Sequence, residues 1–210
     1  MLLQRINLIA YSTLAVIICY IDRVNISVAI IPMQEQFGWS DSQVGFIFSS
    51  FYLGYMLTMA LGGYLSDKFG GKRVLGWGVV LWSIFTILTP LAAHNGFFAL
   101  FFIRVLMGIG EGVTFPAWHS LYARWIPFNE RTRAIAFTNS GISIGTIIGY
   151  IGTQIIIIAM GWEWAFYIFG IVGLVWFIFW YRNVTSYPND HQRITAEELA
   201  YIPVSYTHLT

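Results

Sequence analysis

The sequence predicts an all-α polytopic membrane protein with six transmembrane helices, and three observations carry that prediction. Of its 210 residues, 57% are hydrophobic and only 10% charged. A soluble domain carries about 25% charge, so this chain lacks the polar side chains to cover a globule. Its apolar residues collect into six runs long enough to cross a bilayer, which takes roughly 20 residues each. The alternating pattern of a transmembrane barrel strand is missing.

The runs lie near residues 6–31, 44–66, 74–93, 97–119, 134–160 and 164–181. The first is too long for a signal peptide and has no small-residue cleavage site before a soluble domain. It holds the single cysteine, Cys19, which has no internal disulfide partner. Ahead of the second run, Ser40-Asp41-Ser42-Gln43 has the spacing of a capping box, which starts a helix by satisfying backbone donors reciprocally. Trp39, Trp125, Trp162 and Trp164, close to the ends of runs, read as interfacial anchors.

Basic residues then set the orientation. Lys68, Lys72 and Arg73 separate the second and third runs, Arg124, Arg131 and Arg133 the fourth and fifth; Arg5 precedes the first, and Arg182 and Arg193 follow the last. The alternate connections, around Glu35, Asp41, His94 and Glu163, carry no lysine or arginine. The positive-inside rule makes the N-terminus and the segment after the sixth helix cytoplasmic. The expected location is a cell (inner) membrane, with the bilayer as one partner. A formal net charge of +1 excludes the basic face that a nucleic-acid partner needs.

Only two basic residues, Arg23 and Arg104, fall inside the apolar runs, and only two acids, Asp22 and Glu111. Ionisable groups are expensive in lipid and mark functional sites by default. In the stretch FFIRVLMGIGEGVTFP at 101–116, Arg104 and Glu111 are seven residues apart, on nearly one helix face and ~10 Å apart along the axis. Counting from opposite ends of their runs, Arg23 and Arg104 reach similar depths. A guanidinium is a planar fork of donors suited to carboxylate or phosphate, so two facing one cavity make a site for an organic anion. A carboxyl that feels both burial and a nearby guanidinium changes protonation when an anion arrives or leaves, which is what proton coupling requires. The competing reading is structural: Asp22 and Arg23 neutralise their neighbours, and Arg104 pairs with an acid for stability alone.

Other patterns resolve to packing. Gly141, Gly145 and Gly149 are four residues apart, with Gly152 beyond, a spacing that lets helices approach closely. Gly108, Gly110 and Gly112 follow no strand, so they are not a dinucleotide fingerprint. The four histidines show no metal-ligand spacing, and neither HExxH nor GxSxG is present. No metal, no catalytic residue and no enzyme activity are expected. The only cofactor-like species is the proton as coupling ion, with sodium left open.

Between the second and third runs lies GYLSDKFGGKR, residues 63–73. Read bottom-up it is a glycine-rich turn with topogenic charges, in which Asp67 pairs with a base or caps a neighbouring helix. Its order resembles the signature between helices 2 and 3 of the major facilitator superfamily, G-x-L-[AS]-D-[RK]-x-G-x-[RK]. More narrowly, YIDRVNISVAI in the first run and IRVLMGIGEGVTFPAWHSLYARWIPFNERTRA around the fourth resemble the anion:cation symporter branch. That branch includes bacterial hexuronate and galactonate permeases and animal vesicular glutamate and sialic acid transporters. Pro188-x-x-His191-x-x-Ile194, followed by residues 197–202, resembles the start of that branch's central linker.

The resemblance implies the N-terminal bundle of a twelve-helix facilitator fold, built as two inverted three-helix repeats. Residues 1–182 would be the six-helix bundle, 183–202 the start of the cytoplasmic linker, and 203–210 a non-native tail. Substrate-binding residues would be Arg23, Arg104, Tyr20, Tyr55 and Asn25, with Arg104 partnering Glu111 or the anion. Asp22 and Glu111 would be the proton-coupling residues. Gly63, Asp67, Lys68, Gly70, Lys72 and Arg73 would form a cytoplasmic gate. Phe48 replaces a histidine of vesicular glutamate transporters and Ile142 a glutamine of a galactonate permease, departures that argue against a vesicular-type activity and leave the sugar acid unidentified; the expected substrate is an organic anion, a hexuronate or aldonate first and an aromatic or dicarboxylic acid next. The missing partner would be the C-terminal six-helix half, and the expected activity proton-coupled symport. The rival is a self-contained six-helix channel or assembly subunit working as an oligomer.

Overall fold

The structure is a computed structural model describing residues 3–202, and within them it is helical throughout its ordered elements. Eight helices follow in order: α1 Gln4–Phe37, α2 Asp41–Phe69, α3 Gly71–His94, α4 Phe97–Gly112, α5 Thr114–Trp125, α6 Phe128–Met160, α7 Trp162–Asn183 and α8 Ala196–Tyr201, with a 3-10 turn at Pro188–Asp190 before the last. Six spans are long and apolar enough to cross a membrane, α4 and α5 together making the fourth. The expected residues 203–210 tail lies outside the described residues.

Local chemistry accounts for where the spans start and break. The capping box forms: the Ser40 hydroxyl accepts from the Gln43 amide at 3.4 Å while the Gln43 side chain accepts from the Ser40 amide at 2.9 Å. Helix α1 runs past Pro32, well beyond the expected end at residue 31. Its last turns are held by tertiary contact, with Met33 fully buried among Ile30, Trp39 and Trp162. The fourth span is broken, not continuous as expected. Pro116 has no amide proton for the carbonyl of Gly112, four residues earlier, and its ring crowds that carbonyl, so α4 ends at Gly112 and α5 restarts at Thr114.

The 63–73 stretch is also not a loop. Helix α2 continues to Phe69 and α3 begins at Gly71, so the chain reverses on Gly70 alone. Its φ of 86° lies where side chains other than hydrogen are strained.

The spans pair in a pattern that repeats. Helix α1 packs along α6, α2 along α4, and α3 along α7. Exchanging the first three spans for the last three maps this pairing onto itself, as two three-helix repeats require. Small residues permit it. A Cβ on Gly145 would lie 2.5 Å from the Ile17 carbonyl oxygen, and one on Gly108 would run into the carbonyl of Phe51. Both glycine series are therefore helix-packing devices, the first between α1 and α6 and the second between α4 and its neighbours α2 and α3.

Trp82, Trp118, Trp125 and Trp180 fill the interior. Of the four tryptophans expected to anchor at the interface, only Trp164 is exposed. Trp125 donates to the Thr185 carbonyl at 3.1 Å and Trp162 to the Gln36 side chain at 2.8 Å, so both hold protein to protein. Helices α2 and α6 are the least buried spans and present long apolar faces outward.

Beyond Asn183 the polar segment folds back onto the bundle. Glu198, buried, accepts from the backbone amides of Gln4 and Arg5 at 3.0 and 2.9 Å. These donors have no partner within their own helix, so a carboxylate from α8 caps the N-terminus of α1. Arg5 in turn pairs with Glu130 at 3.4 Å, tying α1, α6 and α8 together.

Candidate functional site

Helix α1 turns Cys19, Asp22 and Arg23 inward at mid-span, and α4 brings Arg104 and Glu111 to meet them. The meeting is possible because Gly108 and Gly112, one turn apart, let α4 lie backbone to backbone against α2. The two arginines and two acids inside the apolar runs thus belong to one cluster, formally neutral when each carries its usual charge.

Arg23 and Glu111 form its ion pair. Arg23 Nη2 donates to Glu111 Oε2 at 3.0 Å and Arg23 Nε to the same oxygen at 3.3 Å. The Cys19 thiol donates to that oxygen too, at 3.2 Å. Glu111 Oε1 has no hydrogen-bond partner although it is fully buried. The guanidinium is enclosed by aromatic rings, its carbon 4.8 Å from the Tyr20 centroid, 4.8 Å from Tyr55 and 5.1 Å from Phe51. Such faces stabilise a cation most when water is excluded. The Arg23 side chain keeps 16% exposure while Glu111 keeps none, so the pair is approachable from the arginine side only.

Arg104 differs. It is 2% exposed and has no carboxylate within ion-pair distance among the described residues. Its Nη1 lies 3.2 Å from the Met107 sulfur, its Nε is unpartnered, and its guanidinium carbon is 5.0 Å from the Phe51 ring that Arg23 also uses. The sequence reading allowed Arg104 to pair with Glu111. The structure gives that acid to Arg23 instead, because Arg104 and Glu111, seven positions apart, are separated along the helix while Arg23 arrives from the side.

Asp22 is fully buried, accepts from the Trp82 indole at 3.1 Å through Oδ2, and leaves Oδ1 without a partner. Asn25, one turn on, is fully buried with both side-chain polar atoms unpartnered. Buried polar atoms are rarely left so, and these belong with Arg104 Nε and Glu111 Oε1 as hydrogen-bonding capacity that the protein does not use on itself.

Sequence reasoning did not single out Cys19, Phe51, Trp82 or Met107 for this cluster. Each sits in an apolar run where its residue type is ordinary, and only the packing of one span on another brings it to the charges. Trp82 left one signal: a buried acid needs a donor, and tryptophan supplies one from an apolar body.

The second expected cluster lies at the basic end of the bundle. Asp67 Oδ1 accepts from Arg124 Nη2 at 3.3 Å and from the Ser120 hydroxyl at 3.2 Å, joining α2 to α5. The other residues of the stretch do not join that contact. Lys68 lies 5.6 Å from the Tyr64 ring and Lys72 4.5 Å from that of Tyr181. Gly63 faces open space, Gly70 makes the turn, and Arg73 is exposed.

Comparison with known proteins agrees with this geometry. The family profile described as Major Facilitator Superfamily matches residues 12–207. The chain is 47% identical to probable anion transporter 4, chloroplastic, of Oryza sativa subsp. japonica, covering 89% of this chain and 32% of that one. It is 46% identical to the ascorbate transporter, chloroplastic, of Arabidopsis thaliana, covering 87% and 34%. To the sodium-dependent phosphate transport protein 1, chloroplastic, of the same plant it is 44% identical, covering 88% and 36%. It therefore spans about a third of the length of these curated relatives, which are named as transporters and not as enzymes.

Solved structures share the fold. A bacterial homolog to the human lysosomal transporter Spinster, inward-facing and occupied, superposes with a TM-score of 0.78 at 23% identity, over 90% of this chain and 46% of that one. The inward-open xylose transporter XylE from E. coli gives 0.76 at 20% identity, over 88% and 49%. Six apolar spans paired as two three-helix repeats, the charged cluster at their centre and the profile match along almost the whole chain lead to one assignment: the chain belongs to the Major Facilitator Superfamily.

Proposed function

We propose that this chain is the N-terminal half of a secondary active anion transporter, and that the cluster around Arg23 is its half of the substrate and proton site. The observation that carries the reading is the unequal use of two guanidiniums. Arg23 is neutralised by Glu111, whereas Arg104, more fully buried, has no carboxylate within ion-pair distance among the described residues. An anion entering between them completes Arg104 and competes with Glu111 for Arg23. Glu111, once displaced, is a fully buried carboxylate that has lost its cation, and taking up a proton is its cheapest relief. Anion and proton are then carried together. Tyr20 and Tyr55, already against Arg23, line the approach, and Asp22 and Asn25 offer the remaining polar contacts.

The substrate class follows from the donors. Planar forks recognise carboxylate or phosphate, and the relatives named for ascorbate and phosphate are compatible with either. Within that class a sugar acid such as a hexuronate or aldonate is the proposed cargo, with proton-coupled symport the proposed mode. The proposed location is the inner membrane of a cell, with the basic end of the bundle cytoplasmic. The relatives are named as chloroplastic, and fractionating cells that express the tagged full-length protein separates the two locations.

The test uses full-length protein in proteoliposomes, with labelled glucuronate, ascorbate and phosphate offered separately under an imposed pH gradient. Accumulation driven by the gradient is expected for the wild type. Glu111→Gln should abolish gradient-driven accumulation while leaving exchange across the membrane, and unchanged pH dependence in this variant overturns the coupling role. Arg23→Ala should remove anion uptake, and unaltered affinity there overturns the clamp.

A further inference from the structure

At the basic end, two cavities of different character meet. One, of about 380 Å³, is lined by Lys68, Lys72, Arg73 and Asp190 together with the hydroxyl-bearing Thr185 and Ser186. The other, of about 420 Å³, is an apolar groove along α3 between α2 and α4, lined by Leu65, Val74, Trp77, Leu81, Ile109 and Val113. Phe69 and Arg73 line both, so the polar cavity opens directly onto the apolar groove. Among the described residues none of the three cations forms an ion pair, and Asp190 is the single acid opposing them there. A third cavity of about 350 Å³, sharing Lys72, Thr185 and Asp190, adds Arg182 and Arg193. Five cations against one acid therefore surround this corner.

The apolar side of the corner carries exposed aromatic residues. Trp77 is 59% exposed and packs 5.5 Å from the Phe177 ring, and Tyr181, whose ring sits against Lys72, is 53% exposed. Exposed tryptophan and tyrosine beside lysine and arginine at the end of a span mark the level where lipid headgroups begin. Lysines and arginines there reach towards the headgroups while their stems cover apolar surface.

From this junction we infer that the corner between α2, α3 and the segment after α7 binds one anionic phospholipid. Its phosphate lies among Lys68, Lys72 and Arg73, and an acyl chain lies in the groove past Trp77. A soluble phosphate uses the cations and leaves the groove unused. A zwitterionic lipid uses the groove but brings no net charge to the unpaired cations. Only a lipid with net negative charge uses both. The site is separate from the mid-membrane cluster and does not depend on the transport reading. Because it spans α2, Gly70 and α3, its occupant braces the one-residue reversal between those helices.

The test is native mass spectrometry of the full-length protein, delipidated and titrated with phosphatidylglycerol, phosphatidylcholine or glycerol 3-phosphate. Phosphatidylglycerol is expected to remain bound about 30- to 150-fold more tightly than phosphatidylcholine, on the scale that two or three basic residues near an anionic lipid provide. Lys72→Gln with Arg73→Gln should bring phosphatidylglycerol down to the phosphatidylcholine level. Leu81→Trp, which fills the groove, should weaken both lipids. Glycerol 3-phosphate should bind weakly to every form. Equal retention of the two lipids by the wild type overturns the proposal, as does undiminished selectivity in the double variant. Glycerol 3-phosphate binding as tightly as the lipid overturns it in favour of a soluble-phosphate site. Thermal unfolding of each variant in the same detergent shows that it is folded, so that lost binding is read as a lost site.

Discussion

Two of the arginine–carboxylate pairs in this bundle, Arg23–Glu111 and Arg124–Asp67, differ in nearly everything except chemistry. Arg23–Glu111 lies at mid-span with its acid wholly buried, three aromatic rings around its base and a contact of 3.0 Å. Arg124–Asp67 lies at the basic end at 3.3 Å with the Asp67 side chain 73% exposed. An exposed pair exchanges water for a partner at nearly equal free energy and contributes about 0–1 kcal/mol. A desolvated pair has given up hydration worth several kcal/mol per ion, so each partner depends on the other. The exposed pair can be made and broken at little cost. The buried pair must stay matched unless something replaces a partner, which is the part the proposed anion and proton would play.

The largest effect should come from orphaning a charge in the buried pair. Glu111→Ala leaves the Arg23 guanidinium desolvated and unmatched, a change that typically costs about 3–5 kcal/mol. Arg23→Ala leaves the carboxylate equally stranded. The variant lacking both should be less destabilised than the sum of the singles, because neither orphan remains. Denaturation midpoints of the four full-length proteins in one detergent check this. Strict additivity would show that the pair is not the unit its geometry describes.

Next in size is the spacing that makes the pair possible. Gly108 places its α-carbon against the carbonyl of Phe51, and Phe51 and Tyr55 flank Arg23 from α2. Gly108→Ala drives a methyl group into that backbone, an overpacking that costs about 1–3 kcal/mol. The same substitution at Gly63, where nothing lies nearby, should leave stability unchanged. Measured together, the two separate close helix approach from any general intolerance of larger residues in α2 and α4.

The same contrast decides what the sequence made legible. The six spans were readable because apolar runs of this length have no other use, and Arg23, Asp22, Arg104 and Glu111 stood out because charge is rare there. Their pairing was not readable. Position along one helix predicts which residues share its face, so Arg104 and Glu111 looked like partners, but cross-helix neighbours depend on how α1, α2 and α4 lie against one another. Cys19 and Phe51 stayed hidden for that reason: a thiol or a phenyl ring in an apolar run is unremarked until a charge is found beside it. The break at Val113 was written in Pro116 and Gly112, but hydropathy alone runs straight through it. The Asp67 stretch was legible as a motif and a turn, but the shortness of that turn was not, since the polar residues on either side of Gly70 stay helical.

A smaller effect tests the second buried acid. Among the described residues, Trp82 supplies the one hydrogen bond made by the Asp22 side chain, at 3.1 Å. Trp82→Phe keeps most of the apolar volume and removes the donor, leaving both carboxylate oxygens unsatisfied, for about 1–3 kcal/mol. Adding Asp22→Asn should recover part of that loss, since a neutral amide is cheaper to bury than an unpartnered carboxylate. Denaturation midpoints of both variants give the answer. No recovery would mean that the indole acts through packing alone.

The smallest effect is expected at the exposed pair, and it is the sharpest test of the contrast. Asp67→Asn removes one charge but keeps a hydrogen-bond acceptor for Ser120 and Arg124, so stability should change by less than about 1 kcal/mol. Raising ionic strength from 0.1 to about 1 M shortens the screening length from about 10 to 3 Å. It should erase whatever difference remains between wild type and Asp67→Asn, while the gap between wild type and Glu111→Ala persists. A thermal shift for Asp67→Asn as large as that for Glu111→Ala would mean that the exposed pair is structural, and that burial is the wrong axis on which to separate the two.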